Sequence, residues 1–149
     1  MTKMKPEPPS TTNTSGVRLL PRDLGIESIP FSALVDNRMR VLKAKTGITP
    51  NILSRFGFCL SLEEPGIPAD PFEDEAVGRE IKRVTLLGAH DLIYVCLLRA
   101  WFASKEADRE VSQKDFDAMF VAHMNRGFEL ISSRMRSLAD LQNLVPAAN

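Results

Sequence analysis

"VLKAKTGITPNILSRFGF", Val41–Phe58, decides the fold. Thr46-Gly47 reads as the end of one helix, because glycine adopts the left-handed conformation that closes a helix C-terminus. Thr49-Pro50 then reads as the start of another: the threonine hydroxyl can cap free amides, and proline at the first helical position loses nothing by lacking an N–H. The stretch is therefore a tight helix–turn–helix, carrying Lys43 and Lys45 before the turn and Arg55 one helical turn after Asn51.

Upstream, apolar spacing predicts a first helix over about Ser32 to Lys45. Phe31, Leu34, Val35, Met39, Val41 and Leu42 lie on one side, and Asp36, Asn37, Arg40 and Lys43 on the other. Arg38 falls inside the apolar arc. Before it, Pro21, Gly25 and Pro30 limit residues 17–32 to a short extended segment. Downstream, Ile52, Leu53, Phe56, Cys59 and Leu60 form the apolar stripe of the second helix. Phe58 and Leu62 point away from it, which makes them candidate contacts to another subunit.

Residues 63–80, an acidic run with three prolines and two glycines, read as a solvated connection. "IKRVTLLG" reads as a strand or extended lead-in to a third helix, from about Ala89 to Ala107, that is apolar nearly all round and so expected at the centre of the core. Ser112 to Asp115, "SQKD", is a capping-box pattern opening a long fourth helix with His123 and Gly127 on its apolar stripe. Gly57 and Gly127 inside helices suggest close backbone approach, since each costs about 1 kcal/mol relative to alanine. The expected fold is all-α: a four-helix single domain with a short extended N-terminal segment, self-associating. A flexible tail covers 1–16, the domain 17–146, and a short end 147–149.

The 149 residues are 44 % hydrophobic and 26 % charged, a globular mixture, with zero formal net charge. Nothing draws the whole chain to nucleic acid, so binding needs a local patch. One exists: from Val17 to Arg55 seven basic residues face three acidic ones, and from Phe56 to Glu80 seven acidic residues face Arg79 alone. Cys59 and Cys96 form no CxxC and read as buried thiols. No window is apolar enough to suggest a membrane span, and no apolar leader is read at the start; a cytoplasmic location is expected. His90-Asp91 diverge on a helix, His123 reads as a core histidine, and no metal-ligand spacing or phosphate loop occurs, so neither catalysis nor a cofactor is expected. A helix N-terminus flanked by Lys43, Lys45, Arg55, Arg40, Asn51 and Thr49 suits a phosphate backbone, but nothing there presents a bidentate set to a base edge.

"LKAKTGITPNILSRFGFCLSLEEPGIP", "KRVTLLGAHD" and "FVAHMNRGFELISSRMRSLADL" together resemble the DndE family of DNA sulfur modification (phosphorothioation) proteins, from about Val17 to Pro146. The resemblance implies an all-helical subunit without a catalytic site. It implies self-association, often as tetramers, and binding to double-stranded DNA with a preference for nicked duplex. It also implies work beside an iron–sulfur sulfurtransferase and an ATPase. Lys43 and Lys45 match the family's basic positions and take the implied phosphate-binding role; Gly47 and Thr49 to Asn51 match the turn implicated in assembly. Asn125, Arg126 and Gly127 match its "NRG" without an assigned role, while Lys82, Val84 and His90 depart from its pattern. A ribbon-helix-helix regulator is the alternative fold reading, weakened by Pro21 in the would-be ribbon. A scaffold subunit without direct DNA contact is the alternative function.

Overall fold

The computed structural model describes residues 20–105 and 110–144; the tail, the end of the third predicted helix at 106–107 and the chain beyond 144 lie outside them. The elements are β1 (Ser28–Ser32), α1 (Ala33–Thr46), α2 (Pro50–Glu63), β2 (Val77–Lys82), the short α3 (Arg83–Leu87), α4 (Asp91–Lys105) and α5 (Gln113–Arg134), with 3₁₀ turns at Gly88–His90 and Leu138–Leu144. The all-α architecture stands, with one small two-stranded sheet added.

β1 and β2 pair antiparallel, Ser28 opposite Lys82 and Pro30 opposite Glu80, with a bulge at Phe31/Ser32. The ribbon buries Ile29 and Phe31. β2 occupies the end of the acidic run, so residues 63–80 are only in part a connection. Its charges hid it: Val77–Lys82 is mostly exposed, and the alternation that marks a half-buried strand is faint there.

α1 starts where predicted, because the Ser32 hydroxyl accepts from the Val35 amide at 3.2 Å. Val35, Met39 and Leu42 face the core. Leu34 and Val41 do not, and Asp36, expected outside, is buried between Arg79 at 3.0 Å and Arg40 at 3.3 Å. α5 likewise starts as predicted, with Ser112 accepting from Asp115 N at 3.1 Å.

α2 and α5 make the central crossing. A Cβ added to Gly57 would stand 2.6 Å from the carbonyl carbon and oxygen of Gly127, and one on Gly127 would overlap the Gly57 carbonyl. The close approach expected from these glycines is present. It also rotates α2 from its predicted orientation. Leu53 and Leu60 of the predicted stripe stay in the core and are joined there by Ser54, Gly57, Phe58 and Ser61, while Ile52, Phe56 and Cys59 face out. Phe58 is fully buried against Phe120 and Tyr94, so the reading of it as an oligomer contact is overturned; Leu62 packs partly against the core.

α4 corrects a second expectation. Val95, Leu98, Trp101 and Phe102 are buried, but Leu92, Ile93, Cys96 and Leu97 are exposed, so the helix flanks the core rather than filling its centre. Neither cysteine is a buried thiol. The run Arg83–Lys105 is by length and composition apolar enough to span a bilayer, yet Gly88 at φ 65 breaks it and its inner side chains belong to the core.

Candidate nucleic-acid interface

The α1–α2 turn is built from local chemistry. Gly47 at φ 75 lets its own amide reach back to the Lys43 carbonyl at 2.8 Å. Thr46 Oγ1 donates to the Leu42 carbonyl at 2.8 Å and accepts from the Ile48 amide at 3.1 Å. The orphan carbonyl of Lys43 is thus satisfied, and the Thr46 hydroxyl ties the last turn of α1 to the start of the connection.

Across the turn the situation reverses. Thr49 stands at the N-cap and Pro50 at the first helical position, but the expected threonine cap is absent: its side chain makes no capping bond. The first amides of α2 are therefore left without a side-chain acceptor, at the positive end of the helix dipole. Lys43 and Lys45 project from the last turn of α1, both exposed and, among the described residues, in no ion pair. Thr49 and Gly47 are exposed beside them. A turn with two exposed ammonium groups and uncapped amides has the chemistry that suits a phosphodiester and offers nothing that distinguishes one base from another.

Two further candidates are turned to other work. Arg55 donates from Nε to the Leu86 carbonyl at 2.7 Å and from Nη2 to the Thr85 carbonyl at 3.3 Å, and Asn51 Nδ2 donates to the same Thr85 carbonyl at 3.3 Å. They close the C-terminus of α3 and tie it to α2. Gly88 accommodates this, since a Cβ there would meet Arg55 Nη2 at 3.0 Å. Arg40 is mostly exposed but shares Asp36 with Arg79. The structure therefore brings Lys43, Lys45, Gly47 and Thr49 to one turn, with Arg40 a turn earlier on α1 and Asn51 and Arg55 engaged behind it.

The "NRG" residues, which had no role from sequence, have one in the structure. Asn125 Oδ1 accepts from Ser32 N at 2.9 Å, and its Nδ2 donates to the Pro30 carbonyl at 3.1 Å and the Val121 carbonyl at 2.8 Å, holding β1 to α5. Arg126 donates to Ser61 Oγ at 2.8 Å and to the Ser61 and Gly66 carbonyls, closing the end of α2. Gly127 allows the crossing itself. All three side-chain positions are structural.

His123 is the core histidine expected. Ser61 Oγ lies 2.8 Å from its Nδ1 and also accepts from Arg126 Nε, so one hydroxyl joins the His123 ring to the guanidinium. Burial, and secondarily the Arg126 charge, pull its pKa down to about 3. Ser61 and His123 are both fully enclosed, so no substrate reaches the pair. Partial burial and then the Glu63 carboxylate push the Cys59 thiol up, away from nucleophilic thiolate. A cavity of about 420 Å³ between the 67–71 loop, α4 and α5 is lined mainly by apolar side chains such as Trp101, Phe102 and Met119, among others. Its charged lining among the described residues is Asp70, Lys105 and Asp115.

A family model for DNA sulphur modification protein DndE matches residues 29–139. No curated protein matches the chain. Among solved structures, DndE from Escherichia coli B7A, described as involved in DNA phosphorothioation modification, is similar with a TM-score of 0.56 and 21 % identity. The match covers 71 % of this chain and 96 % of that one. At that identity the likeness speaks for the fold.

Proposed function

The chain belongs to the DndE family of DNA sulphur modification proteins, and from that premise we propose that it is the non-catalytic DNA-gripping subunit of a phosphorothioation complex. A part in DNA sulphur modification follows from the family. The finer reading is that a homo-oligomer, expected as a tetramer in the cytoplasm, holds double-stranded DNA by its phosphates while an iron–sulfur sulfurtransferase and an ATPase act beside it. The observation that carries it is the α1–α2 turn, where Lys43 and Lys45 stand exposed and unpaired next to uncapped amides of α2. Thr49 and Arg40 support that grip, and Asn51 and Arg55 shape its floor.

Preference for nicked duplex has a mechanical reason. A nick lets the helix bend sharply at little elastic cost, where an intact site of 20–30 base pairs resists with about 1–6 kcal/mol. Several weak turns carried on one oligomer reach phosphates on both sides of such a bend, and their avidity replaces the net charge each copy lacks. β1 finds its partner within the same chain, whereas a ribbon-helix-helix regulator needs that strand edge for a second copy, so this alternative loses support.

The experiment is a salt titration of binding to nicked and intact duplexes, with the mass of the protein measured on the same sample. Tighter binding to the nicked form, falling steeply with salt, is the expected result. Equal or absent binding by a folded oligomer would move the function to scaffolding, with DNA held by the partner subunits.

A further inference from the structure

The cavity under the 67–71 loop is one part of a longer groove. Two more cavities, of about 320 and 370 Å³, share Asp70 and Pro71 with it, so the three adjoin along the loop and α5. The first is walled by Trp101, Phe102 and Met119, the second by Phe72 and Val121. The charged lining is mainly acidic. Seven carboxylates, Asp70 and Asp115 among them, stand against Lys105, Lys114 and Arg126, and Arg126 is already bonded to Ser61 and Gly66.

The chain that precedes the described residues enters beside this groove. Gly25 N donates to Asp117 Oδ1 at 2.9 Å, Gln113 Nε2 donates to the Asp23 carbonyl at 2.9 Å, and Ile26 lines the second cavity. Residues 1–19 therefore lead off from one flank of α5, and the groove wall at Ala118 and Met119 is the next face of the same helix.

The sequence of that segment complements the groove. "KMKPEPP", Lys3–Pro9, holds three prolines, and over residues 1–19 Lys3, Lys5 and Arg18 face Glu7 alone. Proline holds φ near −65° and disposes such a run to the polyproline II helix. With three residues per turn, that helix sets Lys3, Pro6 and Pro9 on one edge, spread over about 19 Å. Proline-rich helices of this kind bind grooves lined by aromatic side chains, and a lysine three positions ahead of the first ring suits an acidic rim. From Pro9 to Leu20 the backbone spans up to about 36 Å, against about 33 Å for the whole of α5, so the groove is within reach.

We propose that Lys3–Pro9 docks in this groove of its own chain, with Pro6 and Pro9 against Trp101, Phe102 and Met119 and with Lys3 beside Asp70 or Asp115. The groove is then a peptide site occupied from within, open to another proline-rich segment only when the tail leaves it. The inference is independent of how DNA is held.

The test is zero-length coupling of the full chain with a water-soluble carbodiimide. A lysine amine displaces the activated carboxylate, an amide forms, and the carbodiimide takes up the water as a urea. Mass spectrometry of the digest is expected to find Lys3 or Lys5 joined to Asp70 or Asp115 in preference to Glu63 or Glu80, exposed acids outside the groove. Pro6→Ala, Pro8→Ala and Pro9→Ala together keep every lysine and carboxylate but remove the preset backbone, and the coupling rate is expected to fall about fivefold or more. An equal mixture of heavy and light isotopic copies tells a chain's own tail from its neighbour's, and links are expected within copies. Links spread evenly over the acids, a rate unaffected by the three substitutions, or links that join heavy to light copies would each overturn the proposal.

Discussion

The two halves of α2 use opposite chemistry. From Leu53 to Ser61 the inner face of the helix is closed: Gly57 touches Gly127 backbone to backbone, Ser61 serves both His123 and Arg126, and Phe58 is sealed under Tyr94 and Phe120. At Thr49–Ile52 the same helix leaves amides uncapped and stands beside unpaired lysines. One half determines that the protein folds; the other has polar groups to spare for a ligand. A buried donor without a partner costs about 1–3 kcal/mol, but an exposed one costs almost nothing because water serves it until something better arrives. Open hydrogen-bonding capacity at the surface is therefore compatible with stability, and only there.

Substitutions can break or sharpen this contrast. The largest effect is expected at the crossing, where Gly127→Ala forces a Cβ into the Gly57 carbonyl. Chemical denaturation should show a loss of about 3 kcal/mol or more, or no folded protein at all. A loss under about 1 kcal/mol would mean that the helices can separate and that the seam is not what organises the fold.

Acid should act on the same half. His123 is held at about 3 against an ordinary 6.5, so between those values the unfolded chain takes a proton that the folded one refuses. Stability is then complete above pH 6.5 and drains as pH falls toward 3, by up to about 1.4 kcal/mol per unit. Comparing urea midpoints at pH 7.5, 6 and 5 in the wild type and in His123→Gln isolates the contribution, since the variant should lose that part of the slope. Identical slopes would place the proton elsewhere.

Arg55 tests where the boundary between the halves falls. Arg55→Gln removes its bonds to the Leu86 and Thr85 carbonyls, and a stability loss of about 2 kcal/mol is expected with little change in DNA affinity. A variant of normal stability that binds DNA poorly would return Arg55 to the interface. Last, Lys43→Ala with Lys45→Ala should leave the denaturation midpoint alone and weaken binding to every sequence about tenfold at low salt. The logarithmic salt dependence should flatten by about two units. An unchanged salt slope would show that phosphates are held at another surface.

Much of this was readable before the structure. The Gly47 cap, the Ser112 cap and the α1–α2 turn follow from residues that act on their immediate neighbours. The α2 core face was readable only at Leu53 and Leu60. Ranking by hydrophobicity selected Ile52, Phe56 and Cys59, whereas two backbones in contact require the smallest side chains, so Ser54, Gly57 and Ser61 mark the true face. Close packing inverted the usual signal. α4 misled for a related reason, because apolarity says that a face seeks cover and not which molecule provides it. Within the candidate site, Lys43 and Lys45 were legible as charges ahead of a helix start. The engagement of Arg55 was not, since its acceptors lie about thirty residues away and are backbone atoms that carry no sequence signature.

The seam between Gly57 and Gly127 also sets a schedule. Its two sides are seventy positions apart, so no amount of local helix formation brings them together until α5 has been made. During synthesis α1 and α2 leave the ribosome first, and the apolar side chains that α5 will cover have to wait for it. Contacts this distant in sequence slow a helical protein that would otherwise fold quickly, and they lengthen the interval in which Phe58 and Leu53 are open to the wrong neighbour. For a subunit expected to join copies of itself, that interval separates two kinds of association: one that buries core side chains before the fold is complete, and one that becomes available only after the last long helix has closed it.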